Sequence, residues 1–420
     1  MRCRQGHIGD LLSREERLII DCLRLGLCGS DNPLDSEGIK WDELYRGLER
    51  WHILPLFDRL LKRLSPDVLS VPSDIIEGMR LSYLKTSLHN EKYYKRLIEL
   101  LNILNMEGIK VALLKGSHLL RFVYQDIGIR QMVDIDILVK RQEMDDVERL
   151  MLGLGYRHLA ITNTVEWFKR YYYHLPFIHP DKTKIEVHWS FTQPHTPFCI
   201  DTEGLWMRAE GVKINGVDAY LLSPEDTLLY LCLHASHVHR LRNCIRYLCD
   251  IVVMTNNHPI DWDVLIKRAN EWAIERYLYI TMFLAYEVIG LNLPQCLWDA
   301  IDSMKLEEGM VMEARRRLIL IGDNDLVDTS FMEKLSPSLS LGKRLSNIFH
   351  TIFISPDELV TRYRLSSSRF VYLYYIHRIL SLFYHKFPVL VSLILHLLRR
   401  GDSSYNLDTY LFPRKRRHGG

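Results

Sequence analysis

No stretch of eighteen or so uninterrupted apolar residues occurs in this 420-residue chain, so no segment reads as a membrane-spanning helix. There is no repeat of fixed period and no low-complexity tract of any length, which argues against a repeat architecture. Eight cysteines, at 3, 22, 28, 199, 232, 244, 249 and 296, include no C-x-x-C pair and no regular spacing. That excludes a disulfide framework and fits free, mostly buried thiols in a reducing compartment. Charge of one sign is also missing: 54 Lys and Arg against 52 Asp and Glu leave a net +2, too little for a global nucleic-acid-binding field. The opening MRCRQGHIGDLLSREERLII has no apolar core followed by a small-residue cleavage site, and the expectation is a cytoplasmic protein.

With 47% hydrophobic residues the chain can bury sizeable cores. Apolar residues recur at helical spacing through DLLSREERLIIDCLRL, WDELYRGLERWHILPLFDRLLKRL and IIEGMRLSYLKTSLHNEKYYKRLIELLNILN. Residues 1–108 are therefore expected to be a helical subdomain. The pattern then changes. Ile109 to Leu114 reads as a buried strand that stops at Lys115-Gly116-Ser117, a small-residue turn opening a helix to about Tyr124. Such a turn leaves backbone N–H groups facing outward, ready for phosphate oxygens. Asp134 to Val139 reads as a second strand whose alternation turns Asp134 and Asp136 to one face. Two close carboxylates repel unless a cation lies between them, and magnesium, which takes oxygen ligands, is the natural one.

A further hairpin is expected from His174 to His179 and Lys184 to Trp189, joined by Pro180-Asp181-Lys182-Thr183. Its second strand puts Glu186 and His188 on one face, and pairing beside the aspartate strand would complete a carboxylate triad. Arg130, four residues before Asp134, could reach phosphates or brace the acidic strand. His174, His179 and His188 match no common zinc spacing, and His188 is read as backing the site or facing substrate. Ser223-Pro224 is a helix start, and the run 227–254 that follows is a long helix or helix pair carrying His234, His237, Arg242 and Asp250.

The string LLKGSHLL, then Tyr, Gly, Arg and DIDILV, followed by K-IEVHW, resembles an uncharacterised nucleotidyltransferase family found largely in bacteria, within the polymerase-β-like superfamily. The distinctive part covers about 109–191, with weaker likeness to about 255. Sixteen residues (118–133) separate Ser117 from Asp134, more than most of the superfamily uses but shared by the narrower family.

The resemblance implies an α+β fold, a small mixed sheet flanked by helices, with helical N- and C-terminal regions. It also implies a Mg2+-dependent transfer (Mn2+ as substitute) of an NMP from an NTP, ATP first among them, to an acceptor hydroxyl of a small molecule, RNA or protein. Asp134, Asp136 and Glu186 would be the catalytic metal ligands, with Glu186 the general base. Lys115, Gly116, Ser117 and Arg130 would hold the nucleotide, and His188 and His234 would wall the acceptor pocket.

Two alternatives stand beside this: a toxin-like enzyme modifying tRNA or protein, and a non-catalytic nucleotide- or partner-binding protein of the same fold. The catalytic core is expected over 109–222, a helical domain walling the acceptor site over 223–354, and a C-terminal helical segment with a basic tail over 355–420. The aromatic run 369–400 is a surface for peripheral membrane or partner contact, or a packed terminal hairpin.

Overall fold

The computed structural model describes residues 8–30, 34–62, 69–159, 165–194, 196–304, 306 and 308–319, with a few isolated positions beyond 341. The aromatic run 369–400, apart from isolated positions, and the basic tail lie outside the described residues. Four helices open the chain: α1 (Arg14–Cys28), α2 (Trp41–Arg50), α3 (Leu54–Leu61) and the 34-residue α4 (Ser73–Met106). Ser13 caps α1 by accepting from the Glu16 N–H while the Glu16 carboxylate takes the Ser13 N–H, so two end donors are satisfied together. The apolar pattern that runs through 41–64 is split between α2 and α3, because His52 turns the chain at φ 56°.

The middle of the chain supplies a seven-stranded sheet in the order β3-β4-β5-β2-β1-β7-β6. Its strands are β1 (Ala112–Leu113), β2 (Ile135–Leu138), β3 (Arg157–His158), β4 (His174–Ile178), β5 (Lys184–His188), β6 (Glu210–Ile214) and β7 (Val217–Leu221). β1 is antiparallel to β2 and parallel to β7, and β2 is parallel to β5. The sheet is mixed and flanked by helices, the expected α+β class. β1 is shorter than the apolar run 109–114 predicts. Its pairing nevertheless continues on both sides, with the Tyr220 N–H on the Val111 carbonyl at 2.9 Å and the Leu114 N–H on the Asp136 carbonyl at 3.1 Å.

The hairpin of β6 and β7 carries no expectation from the sequence reading. Its turn, Asn215-Gly216 with φ 48° and 86°, has the two positive dihedrals that the tight hairpin turn requires.

Between β1 and β2 the chain forms the short α5 (Lys115–His118), a π turn (Leu119–Val123) and a long loop. α4 holds that loop in place. The Asn90 amide donates to the carbonyls of Ile127 and Arg130 and accepts from the Met132 N–H. Tyr83 reaches Asp126, and Tyr93 reaches the Val133 carbonyl. A buried polar side chain is tolerated where its partners are all supplied, and Asn90 is fully buried on this face.

α6 (Met144–Gly153), α7 (Val165–Tyr171) and α8 (Thr202–Arg208) lie among the later strands. After β7 come α9 (Pro224–Leu233), α10 (Ile245–Asn257), α11 (Trp262–Glu271), α12 (Glu275–Leu284), α13 (Gln295–Ser303) and α14 (Glu308–Ile319). Ser223 caps α9 by accepting from the Asp226 N–H, and the buried Asp226 carboxylate is neutralised by Arg208 and Arg268. One buried apolar cluster runs from Ile8 to Leu318, so N-terminal helices, sheet and later helices share a core. Among the described residues no helix is long and apolar enough to cross a membrane.

Candidate active site

β2 and β5 bring the acidic residues together. They run parallel with Asp136 opposite Glu186 and Leu138 opposite His188, so the polar positions of both strands share a face. Asp134, just before β2, completes the group: all three carboxylates line one cavity of about 490 Å³. The cost of grouping them is visible in their proton affinities. Burial and the neighbouring Asp136 push the Asp134 carboxyl up to about 7. Burial acts on Asp136 in the same direction, but Lys115 and His188 outweigh it and hold that carboxyl far below its ordinary value.

Lys115 explains how the pair is tolerated. Its ammonium lies 2.7 Å from Asp136 Oδ1 and 3.8 Å from Glu186 Oε2, a cation between two carboxylates. Burial opposes its charge, yet Asp136 keeps its pKa well above the usual lysine value. The backbone at Lys115 is at φ 43°, a left-handed conformation that costs a non-glycine residue roughly 1–3 kcal/mol and collects at functional sites.

Gly116 leaves no room for a side chain: a Cβ there would come within 2.8 Å of Met132 Cγ. Ser117 is fully buried. Its hydroxyl lies 2.6 Å from the Leu114 carbonyl and 2.8 Å from the Asp136 carbonyl, so its side chain ties the turn to β2, and the cavity lining includes Lys115 and Gly116 but not Ser117.

Arg130 lines the cavity and is also braced. Its Nε donates to Asp250 at 2.9 Å, and the same carboxylate takes the Tyr124 hydroxyl at 2.8 Å. Asp250 is thereby an anchor, buried and outside the cavity lining. The run 227–254 is a helix pair. α9 passes into a π turn (His234–Val238) and a loop with Arg240, Leu241 and Asn243 at positive φ, before α10 begins.

His234, that loop with His239, Arg242 and Asn243, and the first turn of α10 with Arg246 and Tyr247 line the same cavity as the carboxylates, together with His52 and Gln131. Of these, His239, Arg246 and Tyr247 carry no expectation from the sequence, and His52, whose helical context makes it a packing residue on that reading, instead sits in a turn and lines the cavity. His52 arrives from a turn nearly two hundred residues away, and nothing local distinguishes Arg246 from a solvated helix arginine.

The histidines divide. His234 lines the cavity, and burial together with Lys115 keeps it well below its ordinary pKa. His188 is only 1% exposed and sits behind the carboxylates, with Nε2 3.0 Å from Asp136 Oδ1 and 3.4 Å from Glu186 Oε2. His174 is opposite His188 on β4 and lines the cavity beside Glu186. His179 points elsewhere, to Asp181 and Tyr156. His237 packs edge-on against Phe198 and Tyr277.

The donor set suits a divalent cation. Three carboxylates line one cavity, one of them with a raised proton affinity that a cation would relieve, and among the described residues the ligand atoms that lie within 4.8 Å of one another are those of His174, Glu186 and His188.

A comparison with curated proteins finds no match. The model of a family described as uncharacterised nucleotidyltransferase matches residues 37–290, more than half of the chain and a wider span than the motif at 109–191, and the protein belongs to that family and is a transferase of nucleotidyl groups.

Proposed function

We propose that the protein moves a nucleoside monophosphate from a magnesium-bound NTP, ATP in the first instance, to an acceptor hydroxyl and releases pyrophosphate. The observation that carries this reading is the cavity itself. It is lined by Asp134, Asp136 and Glu186 and, in the same space, by Lys115, Arg130, Arg242 and Arg246. A lining that carries both carboxylates and cationic groups suits a metal–triphosphate, whose metal seeks the carboxylates and whose phosphate oxygens seek the guanidinium groups. Asp134, Asp136 and Glu186 would hold Mg2+ or Mn2+, which when bound supplies charge neutralisation at the α-phosphate and the leaving pyrophosphate.

The remaining work falls to the chain's own groups. The amides of Gly116 and Ser117 orient the β- and γ-phosphates, and Lys115 and Arg130 add fixed positive charge at the triphosphate. Glu186, at the edge of the cavity, takes the proton of the acceptor hydroxyl as oxygen attacks the α-phosphorus, and the bond to pyrophosphate breaks. His234 walls the acceptor side, while His188, behind Glu186 and Asp136, fixes their orientation.

The test is a thermal melt with nucleotide and metal varied separately. ATP should raise the melting temperature only when Mg2+ or Mn2+ is present, because a ligand that binds the native state stabilises it in proportion to occupancy. Asp134→Asn with Asp136→Asn should abolish that metal-dependent shift. An unchanged shift in the double variant would place the nucleotide elsewhere and end this reading.

A further inference from the structure

The face that carries Glu186 also presents imidazoles. His174 and His188 are register partners across β4 and β5, and Glu186 lies two residues before His188 on the same face of its strand. The two rings have centroids 4.9 Å apart. Glu186 stands between them, Oε1 3.8 Å from His174 Nε2 and Oε2 3.4 Å from His188 Nε2. One ligand atom from each of the three lies within 4.8 Å of the others, a spread that small side-chain movements close around one ion.

Orphaned polar atoms surround this group. His174 Nδ1 and His188 Nδ1 have no hydrogen-bond partner among the described residues, and neither has the buried hydroxyl of Tyr230, which stands in the electrostatic field of Lys115, Asp136 and Glu186. The ring atoms that face Glu186 are the Nε2 atoms, so the Nδ1 atoms are not the ligands and mark polar capacity left unused around the group.

We propose that His174, Glu186 and His188 form a binding site for a divalent transition-metal ion of the zinc, cobalt or copper class, beside the all-oxygen site that Asp134 and Asp136 offer to magnesium. The inference deepens the reading above and rests on it for the role of Glu186 as the carboxylate shared by both sites. The chemistry decides the class. Magnesium takes oxygen ligands and gives up water reluctantly, whereas imidazole suits zinc, cobalt and other later first-row ions. Two imidazoles and one carboxylate favour the latter over magnesium, and the hairpin that carries them is rigid, since the β4–β5 ladder pairs every residue from His174 to Ile178.

The experiment uses the full-length, metal-free protein without nucleotide. Cobalt(II) added to it should produce the visible absorption of a protein-bound ion, and pulsed electron paramagnetic resonance of the copper(II)-loaded protein should show coupling to imidazole nitrogen. Both readouts are taken on the unmodified chain, so no variant has to fold for them to speak. His174→Ala and His188→Ala should each weaken cobalt binding at least about tenfold, as loss of ligand or supporting groups does at metal sites.

Asp134→Asn with Asp136→Asn should leave the nitrogen coupling in place while removing the Mg2+–ATP melting shift. Absence of nitrogen coupling in the unmodified protein, or histidine variants that bind cobalt as the parent does, overturns the imidazole site. If the Mg2+–ATP shift survives that result, the nucleotide reading stands without it; if nitrogen coupling is present and the shift is absent, the imidazole site stands and the nucleotide reading falls.

Discussion

Lys115 is the fixed positive charge between two carboxylates whose other shared partner is His188. Its replacement by methionine keeps the length of the side chain and removes the charge. Breaking a buried pair from one side leaves an uncompensated charge and typically costs about 3–5 kcal/mol. Lys115→Met is therefore expected to melt well below the parent in the absence of divalent metal. Added Mg2+ should recover more of that loss than it adds to the parent, because a cation at the carboxylates replaces the missing ammonium. Equal metal-induced shifts in the two proteins would show that Lys115 and the metal do not share these partners.

His118 sits behind the same turn, 2% exposed, and burial with nearby His258 pushes its pKa down to about 3 from 6.5. Between these values the unfolded chain binds the extra proton, so this residue's share of stability is present above 6.5 and is lost as pH falls toward 3. The slope is at most about 1.4 kcal/mol per pH unit. Denaturation measured from pH 7 to 4 should show a shallower acid loss for His118→Leu than for the parent, and identical slopes would show that another group carries the effect.

At the scale of elements, the loop before β2 is the part that most needs explaining, because sixteen residues (118–133) stand between the turn and the first aspartate. α4 supplies the explanation. Its polar residues on the buried side are spaced to meet successive backbone groups of the loop: Tyr83 at Asp126, Asn90 at 127, 130 and 132, and Tyr93 at 133. Asn90→Ala would strand two carbonyls and one N–H in a buried place, at a cost of about 1–3 kcal/mol for each group not rescued by water. A loss of about 2–4 kcal/mol in chemical denaturation is expected, together with weaker metal-dependent ATP binding, since the same loop delivers Asp134. A variant as stable as the parent would mean the loop is held by its own packing.

These elements also show what a sequence can and cannot disclose. The alternation in DIDILV and KIEVHW was enough to find β2 and β5 and to put Asp136, Glu186 and His188 on one face. Strand periodicity is two, and each strand carries its own signal. Ser223 was readable as a cap for the same local reason.

The hairpin at Asn215-Gly216 was equally readable, the dipeptide being a strong turn signal, yet it was not assigned. Asn90 was a polar residue inside an apolar helical stripe, visible but ambiguous, because its partners lie 37 to 42 residues away. Of the cavity wall, His234 was readable and the rest was not. His52 and the α10 pair Arg246 and Tyr247 come from distant parts of the chain, and only tertiary packing brings them to one space.

For the molecule as a whole, the continuous buried cluster from Ile8 to Leu318 has a thermodynamic consequence. Boundaries drawn at 108/109 and 222/223 follow changes in sequence pattern, but the apolar contacts cross both. Cooperative units follow shared cores, so the described body is expected to unfold in one calorimetric transition whose van't Hoff and calorimetric enthalpies agree. Two resolved transitions would restore the pattern boundaries as physical ones.

The backbone of Asp136 belongs to a different structure from its side chain. The carboxylate serves the cavity, while the carbonyl accepts from the Leu114 N–H and the Ser117 hydroxyl and so joins β2 to the start of α5. Every amino acid carries that carbonyl, which makes the charge at position 136 separable from the joint. Asparagine there would silence the site and keep that joint, while leaving Lys115 with Glu186 as its remaining carboxylate. Such an inert copy, with its mouth and its walls intact, is the natural bait for fishing out the molecule that the active protein would have modified and released.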